Sequence, residues 1–128
     1  MIVAGFIDTA EGHAALDAAL REARLRAEEL CVVVQAPRGA EQADLDRART
    51  AATEAVQDSG VPHQVQTLER GDDAAEALMS NAEQAEASLI IIGLRRRSPL
   101  GKLILGSNAQ RILLEAPCPV LAVKPEVA

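Results

Sequence analysis

Two stretches of this 128-residue chain bring together residue types that could hold an anion. The first is short. Asp8, Thr9, Ala10 and Glu11 follow an apolar run, so a carboxylate stands where a strand would give way to a helix. A carboxylate is acceptor-only and suits the hydroxyls of a sugar. The second stretch, residues 93–108, opens on Gly93, carries Arg95, Arg96, Arg97 and Lys102, and closes on Gly106, Ser107 and Asn108 before an apolar-periodic segment. Arginine grips phosphate with a planar fork of donors. A helix start adds unpaired N–H groups and the positive end of its dipole. Glycine lets the backbone turn sharply or approach a ligand closely. Phosphate is the anion that fits this set. A plainer reading also fits every part of it. Ser107 to Gln110 and Asp8 to Glu11 both match a capping box, so Ser107 and Asp8 could each serve only as a cap. The arginines could be a solvated loop. Residue type and spacing leave both readings open.

Other chemistry lacks its signatures. Gly101-Lys102 resembles the end of a phosphate-binding P-loop, but the earlier glycine is Arg96 and the following hydroxyl is Leu103. No Gly-x-Gly-x-x-Gly follows the first strand, and no Gly-x-Ser-x-Gly elbow occurs. His13 and His63 have no ligand-like partner nearby in sequence. Cys31 and Cys118 sit in or beside apolar runs, where a thiol behaves as a small buried hydrophobe.

The elements that must position these residues follow from a periodicity that switches regularly between strand and helix. Residues 2–7 read as a buried strand, and Leu16, Ala19, Leu20, Ala23 and Ala27 recur at helical spacing. Residues 30–34 form a second strand, continuous in apolar character as strands covered on both faces are. Leu45, Ala48, Ala52 and Val56 mark a second helix, stopped by Ser59, Gly60 and Pro62. Residues 63–68 alternate, which predicts a strand near a sheet edge. Ala75, Leu78, Ala82 and Ala85 give a third helix, and residues 89–92 the most apolar strand, expected to be central. A basic loop over residues 93–105 leads to a helix on Ala109, Ile112, Leu113 and Ala116, then to a last strand at 119–123. Helices alternating with buried strands imply a three-layer α/β fold: one parallel five-stranded sheet, Rossmann-like, with helices on both faces. The order 3-2-1-4-5 is expected, because only then do Asp8 and Gly93 share a cleft.

Length and composition set the frame. The chain fits a single domain, residues 1–128, with 48% hydrophobic and 25% charged residues. A net charge of −6 and a single aromatic, Phe6, argue against nucleic acid, which calls for basic footprints and stacking rings. No apolar run reaches the ~20 residues that span a bilayer. The opening residues lack a signal-peptide pattern, so the expected compartment is the cytoplasm.

With these residues in view, the chain resembles a universal stress protein domain almost end to end. The family has a strand ending in Asp, as at Ile7-Asp8-Thr9, and often a Gly-Asp turn before the third helix, as at Gly71-Asp72. Its nucleotide-binding members carry Gly-x-x-Gly, nine residues, then Gly-Ser or Gly-Thr. Here Gly93 fills the first place and Gly106-Ser107 the last, while Arg96 replaces the second glycine. The closing stretch, residues 117–124, resembles the family's last strand. The resemblance implies a small cytoplasmic stress-response regulator, usually a homodimer through the last strand. It further implies an adenine nucleotide, ATP or AMP, at a site built from Asp8, Gly93, Arg96, Gly106, Ser107 and Asn108. Phosphates would lie at Gly106-Ser107, ribose near Gly93 and Asp8, and the base against residues 34–36. No cofactor is obligatory, and magnesium would come only with ATP. A binding role is expected over an enzymatic one, with weak ATPase activity left open. At Arg96 two outcomes stand: the side chain fills the site and leaves a nucleotide-free scaffold, or it grips phosphate itself.

Overall fold

The computed structural model describes residues 1–37, 39–95 and 105–125. Five strands alternate with four helices: β1 (Ile2–Phe6), α1 (Ala10–Arg26), β2 (Leu30–Val34), α2 (Gln42–Gln57), β3 (His63–Thr67), α3 (Ala74–Gln84), β4 (Leu89–Gly93), α4 (Ser107–Glu115) and β5 (Val120–Val123). The sheet runs β3-β2-β1-β4-β5 and every pairing is parallel. This is the expected three-layer architecture. β1 holds the middle, and β4, expected to be central, is interior between β1 and β5.

Period-two alternation divides each inner strand between two cores. Ile2, Ala4 and Phe6 of β1, Val32 and Val34 of β2, and Leu89 and Ile91 of β4 pack with α1 and α2. Val3, Cys31, Val33, Ile90 and Ile92 pack on the opposite face with α3 and α4. Burial on both faces is why these strands read as continuous apolar runs. β3 pairs only with β2, and its His63, Gln64 and Gln66 are exposed, as an edge strand's polar positions can be.

Some helix boundaries depart from the expectations. Ala27 and Ala85 lie outside the core faces and act as C-caps of α1 and α3, Ala27 in the left-handed conformation at φ 54°. In α4 only Ile112 is fully buried, whereas Leu113, expected to face the core, is exposed. The helix is turned so that Ile112, flanked by half-buried Ala109 and Ala116, meets the sheet. Leu113 falls just outside that stripe.

Candidate cleft at the carboxyl ends of strands β1 and β4

From β1 the chain crosses to β2 on one side, while β4 lies on the other. Divergent crossovers of this kind leave a crevice beyond the carboxyl ends of the strands. A cleft opens there, lined by Gly5 and Ile7 from β1 and its exit, Gln35 after β2, and Gly93 at the end of β4. Glu11 and Gly12 of α1, Ala74, Ala75 and Leu78 of α3, and Asn108, Ala109 and Ile112 of α4 complete it.

Two glycines let α1 seat on the sheet at this spot. A Cβ at Gly12 would overlap the carbonyl oxygen of Ile7, and one at Gly93 the carbonyl oxygen of Glu11. Backbone therefore lies on backbone where the first turn of α1 meets the ends of β1 and β4. Gly93 serves this packing as well as lining the cleft.

The opposite wall is tied by Arg111 of α4. Its Nη1 donates to Asp73 Oδ2 at 2.9 Å and its Nη2 to Glu76 at 3.5 Å. Asp73 also caps α3, accepting from the Glu76 N–H at 3.1 Å. These donors, Arg111 first, hold the Asp73 carboxyl below the usual carboxylate range. One arginine thus ties the middle of α4 to the first turn of α3, and both helices line the cleft.

The helix caps differ from the capping-box reading. Thr9, not Asp8, is the N-cap of α1, accepting from the Gly12 N–H at 3.2 Å. Gly106 is the N-cap of α4, and Ser107 is the first helical residue with no capping role. The capping-box pattern fits Asp8-x-x-Glu11 and Ser107-x-x-Gln110, yet each helix starts one residue off that register: three residues after Thr9 stands Gly12 and three after Gly106 stands Ala109, so neither observed cap forms a box. Since Gly106 brings no side-chain oxygen, no capping side chain competes for the N–H groups of α4's first turn. Arg95 comes close to the same point: its Nη2 lies 3.9 Å from where a Cβ on Gly106 would stand.

Asp8 takes a role that sequence reasoning missed. Its Oδ1 meets His13 Nε2 at 2.8 Å, and the Phe6 ring meets the imidazole edge-on with centroids 5.0 Å apart. Asp8 precedes the cap and His13 lies in the following turn, the same two places that a hydrophobic staple joins. That spacing was a usable signal once Thr9 is recognised as the cap. Asp8 is not among the residues lining the cleft, although its neighbour Ile7 is. The structure thus brings Gly93 and Asn108 into one cleft, puts Gly106 and Ser107 at its helix start, and leaves Asp8 one residue outside. Arg96, Arg97 and Lys102 lie outside the described residues.

Catalytic groupings are sparse among the described residues. The His13 ring makes no hydrogen bond to a hydroxyl or thiol, as activation of a nucleophile requires. Burial pushes the thiols of both Cys31 and Cys118 up, away from the reactive thiolate. No cluster of His, Cys, Asp and Glu suited to a metal ion occurs among them, and no helix among them is long and apolar enough to cross a membrane.

A doubly wound parallel sheet with a crevice at its switch point defines a class of small α/β domains. Comparison with known proteins narrows it. The model of the universal stress protein family matches residues 1–124. A universal stress protein of Mycolicibacterium smegmatis is 43% identical over 129 residues, covering 98% of each chain. A solved universal stress protein from Archaeoglobus fulgidus is 31% identical with a TM-score of 0.78, covering 96% of this chain and 97% of that one. Another from that organism, solved in complex with dAMP, is 26% identical with a TM-score of 0.75, covering 96% of each. The chain belongs to the universal stress protein family.

Proposed function

We propose that this chain binds an adenine nucleotide in the cleft and acts as a cytoplasmic regulator in the stress response, without an enzymatic role. The observation that carries the reading is the position of Arg95 beside Gly106. A guanidinium at the positive end of a helix is electrostatically unfavourable alone and favourable once an anion lies between them. Phosphate placed there sets the ribose over Gly93, at the end of β4. Asp8 keeps an oxygen for a ribose hydroxyl, since Oδ2 accepts no hydrogen bond from any described residue. The relative solved with dAMP supports an adenine nucleotide as the ligand class.

A second reading, a nucleotide-free scaffold closed by Arg96, draws support from Asp8, which is tied to His13 and does not line the cleft. Titration calorimetry with AMP and ATP separates the two. Under the nucleotide reading, Arg95→Ala and Arg96→Ala each weaken binding by about 10- to 150-fold, the value of a charge-assisted hydrogen bond. Under occlusion, Arg96→Gly creates binding that the wild type lacks. If the wild type and the Arg96 variants all fail to bind, the nucleotide reading is wrong.

The protein also acts as a homodimer through β5 in this proposal. β5 pairs only with β4 in the sheet, which leaves an edge of unpaired backbone groups. Leu121 on that strand is 36% exposed, and Leu114 on α4 is 85% exposed.

A further inference from the structure

The four helices are not equally anchored. α1 buries seven residues and α2 and α3 four each, whereas α4 buries only Ile112. Ile112 sits in the core that holds Ala75, Leu78, Ile90 and Ile92, and the small, half-buried Ala109 and Ala116 pack against the same core. On the outer side Leu113 and Leu114 are exposed and give the helix little apolar anchorage. On the side facing α3 the tie is polar. Arg111 reaches Asp73 Oδ2 at 2.9 Å and Glu76 Oε2 at 3.5 Å, and its Nε lies 3.9 Å from Glu115 Oε2. All of these side chains are in part open to solvent, and exposed ion pairs hold weakly.

The cleft depends on this lightly held helix. Asn108, Ala109 and Ile112 line it, and the first-turn N–H groups that would meet an anion belong to α4. Ala74 and Ala75 in the first turn of α3 line it as well, so the Arg111 pairs bridge two turns that face one cavity. Local opening falls on the elements with the fewest buried apolar contacts. A helix that leaves takes part of the site with it, so a ligand that needs those groups binds only the closed form. We infer that α4 is a hinged wall of the cleft, which swings off α3 as one body when the Arg111 pairs part and is closed by a bound anion. The inference rests on the nucleotide reading above for what closes the wall, and adds how the site opens. Weak pairs suit the task. They let the wall part for a ligand, yet keep it closed often enough that the open fraction takes little from the affinity.

Hydrogen exchange of the free protein tests the hinge. The wild-type amides of residues 111–116, up to the Ala116 N–H that donates to the Ile112 carbonyl, should exchange as one set. That set should exchange at least about tenfold faster than the amides of β1 and β4, which open only with the whole fold. Asp73→Asn keeps a capping side chain on α3 and removes the charge that Arg111 meets. It should speed the α4 set about 1.5- to 5-fold, the value of an exposed pair, and Arg111→Gln should do the same. AMP at ten times its Kd should slow the set about tenfold. The slowing should reach Leu114 to Ala116, about 12 Å along the helix from the anion end, where a contact confined to the first turn would have no effect. Wild-type α4 amides that exchange only with β1 and β4, or that fray one by one from the ends, overturn the hinge. So do variants whose α4 exchange matches wild type. AMP that binds by calorimetry yet protects only the first turn overturns the closure and leaves nucleotide binding standing. Wild type that binds no AMP overturns the nucleotide reading and the closure together, and exchange in the free protein then decides the hinge alone.

Discussion

Replacing Gly93 by alanine tests the claim that α1 is seated backbone-on-backbone at the cleft. The added methyl would overlap the Glu11 carbonyl oxygen and lie 2.7 Å from the carbonyl carbon and 3.1 Å from the Glu11 Cβ. None of these atoms can step aside without moving the first turn of α1. Overpacking costs about 1–3 kcal/mol, and a backbone obstacle belongs at the upper end. Alanine returns about 0.4–1 kcal/mol by restricting the unfolded chain, which leaves a net loss of about 2 kcal/mol. Gly5→Ala is the internal control, because the three atoms nearest its methyl all belong to the Leu78 side chain, with Cδ1 at 3.0 Å, and that side chain borders the cleft. There the two effects nearly cancel, to within about 0.5 kcal/mol. A domain of this size loses about 3–5 °C of melting temperature per kcal/mol, so Gly93→Ala should melt about 6–10 °C lower and Gly5→Ala within about 3 °C of wild type. Circular dichroism melts and urea midpoints at unchanged m-value measure both. A Gly93→Ala protein as stable as Gly5→Ala would refute the packing argument.

Two further outcomes follow from surface geometry. Leu121→Lys puts a charge on the exposed edge of β5, and sedimentation should find monomer where the wild type is dimeric at tens of micromolar; a monomeric wild type ends the dimer proposal. Asp73 has a carboxyl held below its ordinary value of 3.8 by Arg111, so its stabilising contribution is full at neutral pH and is lost as the pH falls below that value. Arg111→Gln should therefore flatten the acid limb of stability against pH, and an unchanged limb would show that the bridge is too exposed to matter.

Much of the architecture was legible from local pattern alone. Apolar runs at 30–34 and 89–92 could be buried only as strands covered on both sides, and the helical stripes between them could be buried only on the faces of that sheet. The cleft was legible too, because a parallel doubly wound sheet has one switch point and Gly93 stood at the right strand end. The site's detail was less so. Asp8 read equally well as a cap or a ligand, yet it is neither a cap nor part of the cleft lining: the Thr9 hydroxyl one residue later caps the helix, and Asp8 is drawn to His13 in the first turn of α1.

The sequence by itself determined the kind, order and burial of the elements, because periodicity and apolar content act within a dozen residues along the chain. Only the tertiary structure decided which groups meet across it. Arg111 reaches Asp73 over 38 residues, and the carbonyl of Glu11 rests on Gly93 from a different layer. Gln35 follows the same rule. A slip of one residue would have carried it to the opposite face, and its hydrogen bond to Phe6 in the neighbouring strand sets the register that turns it towards the cleft.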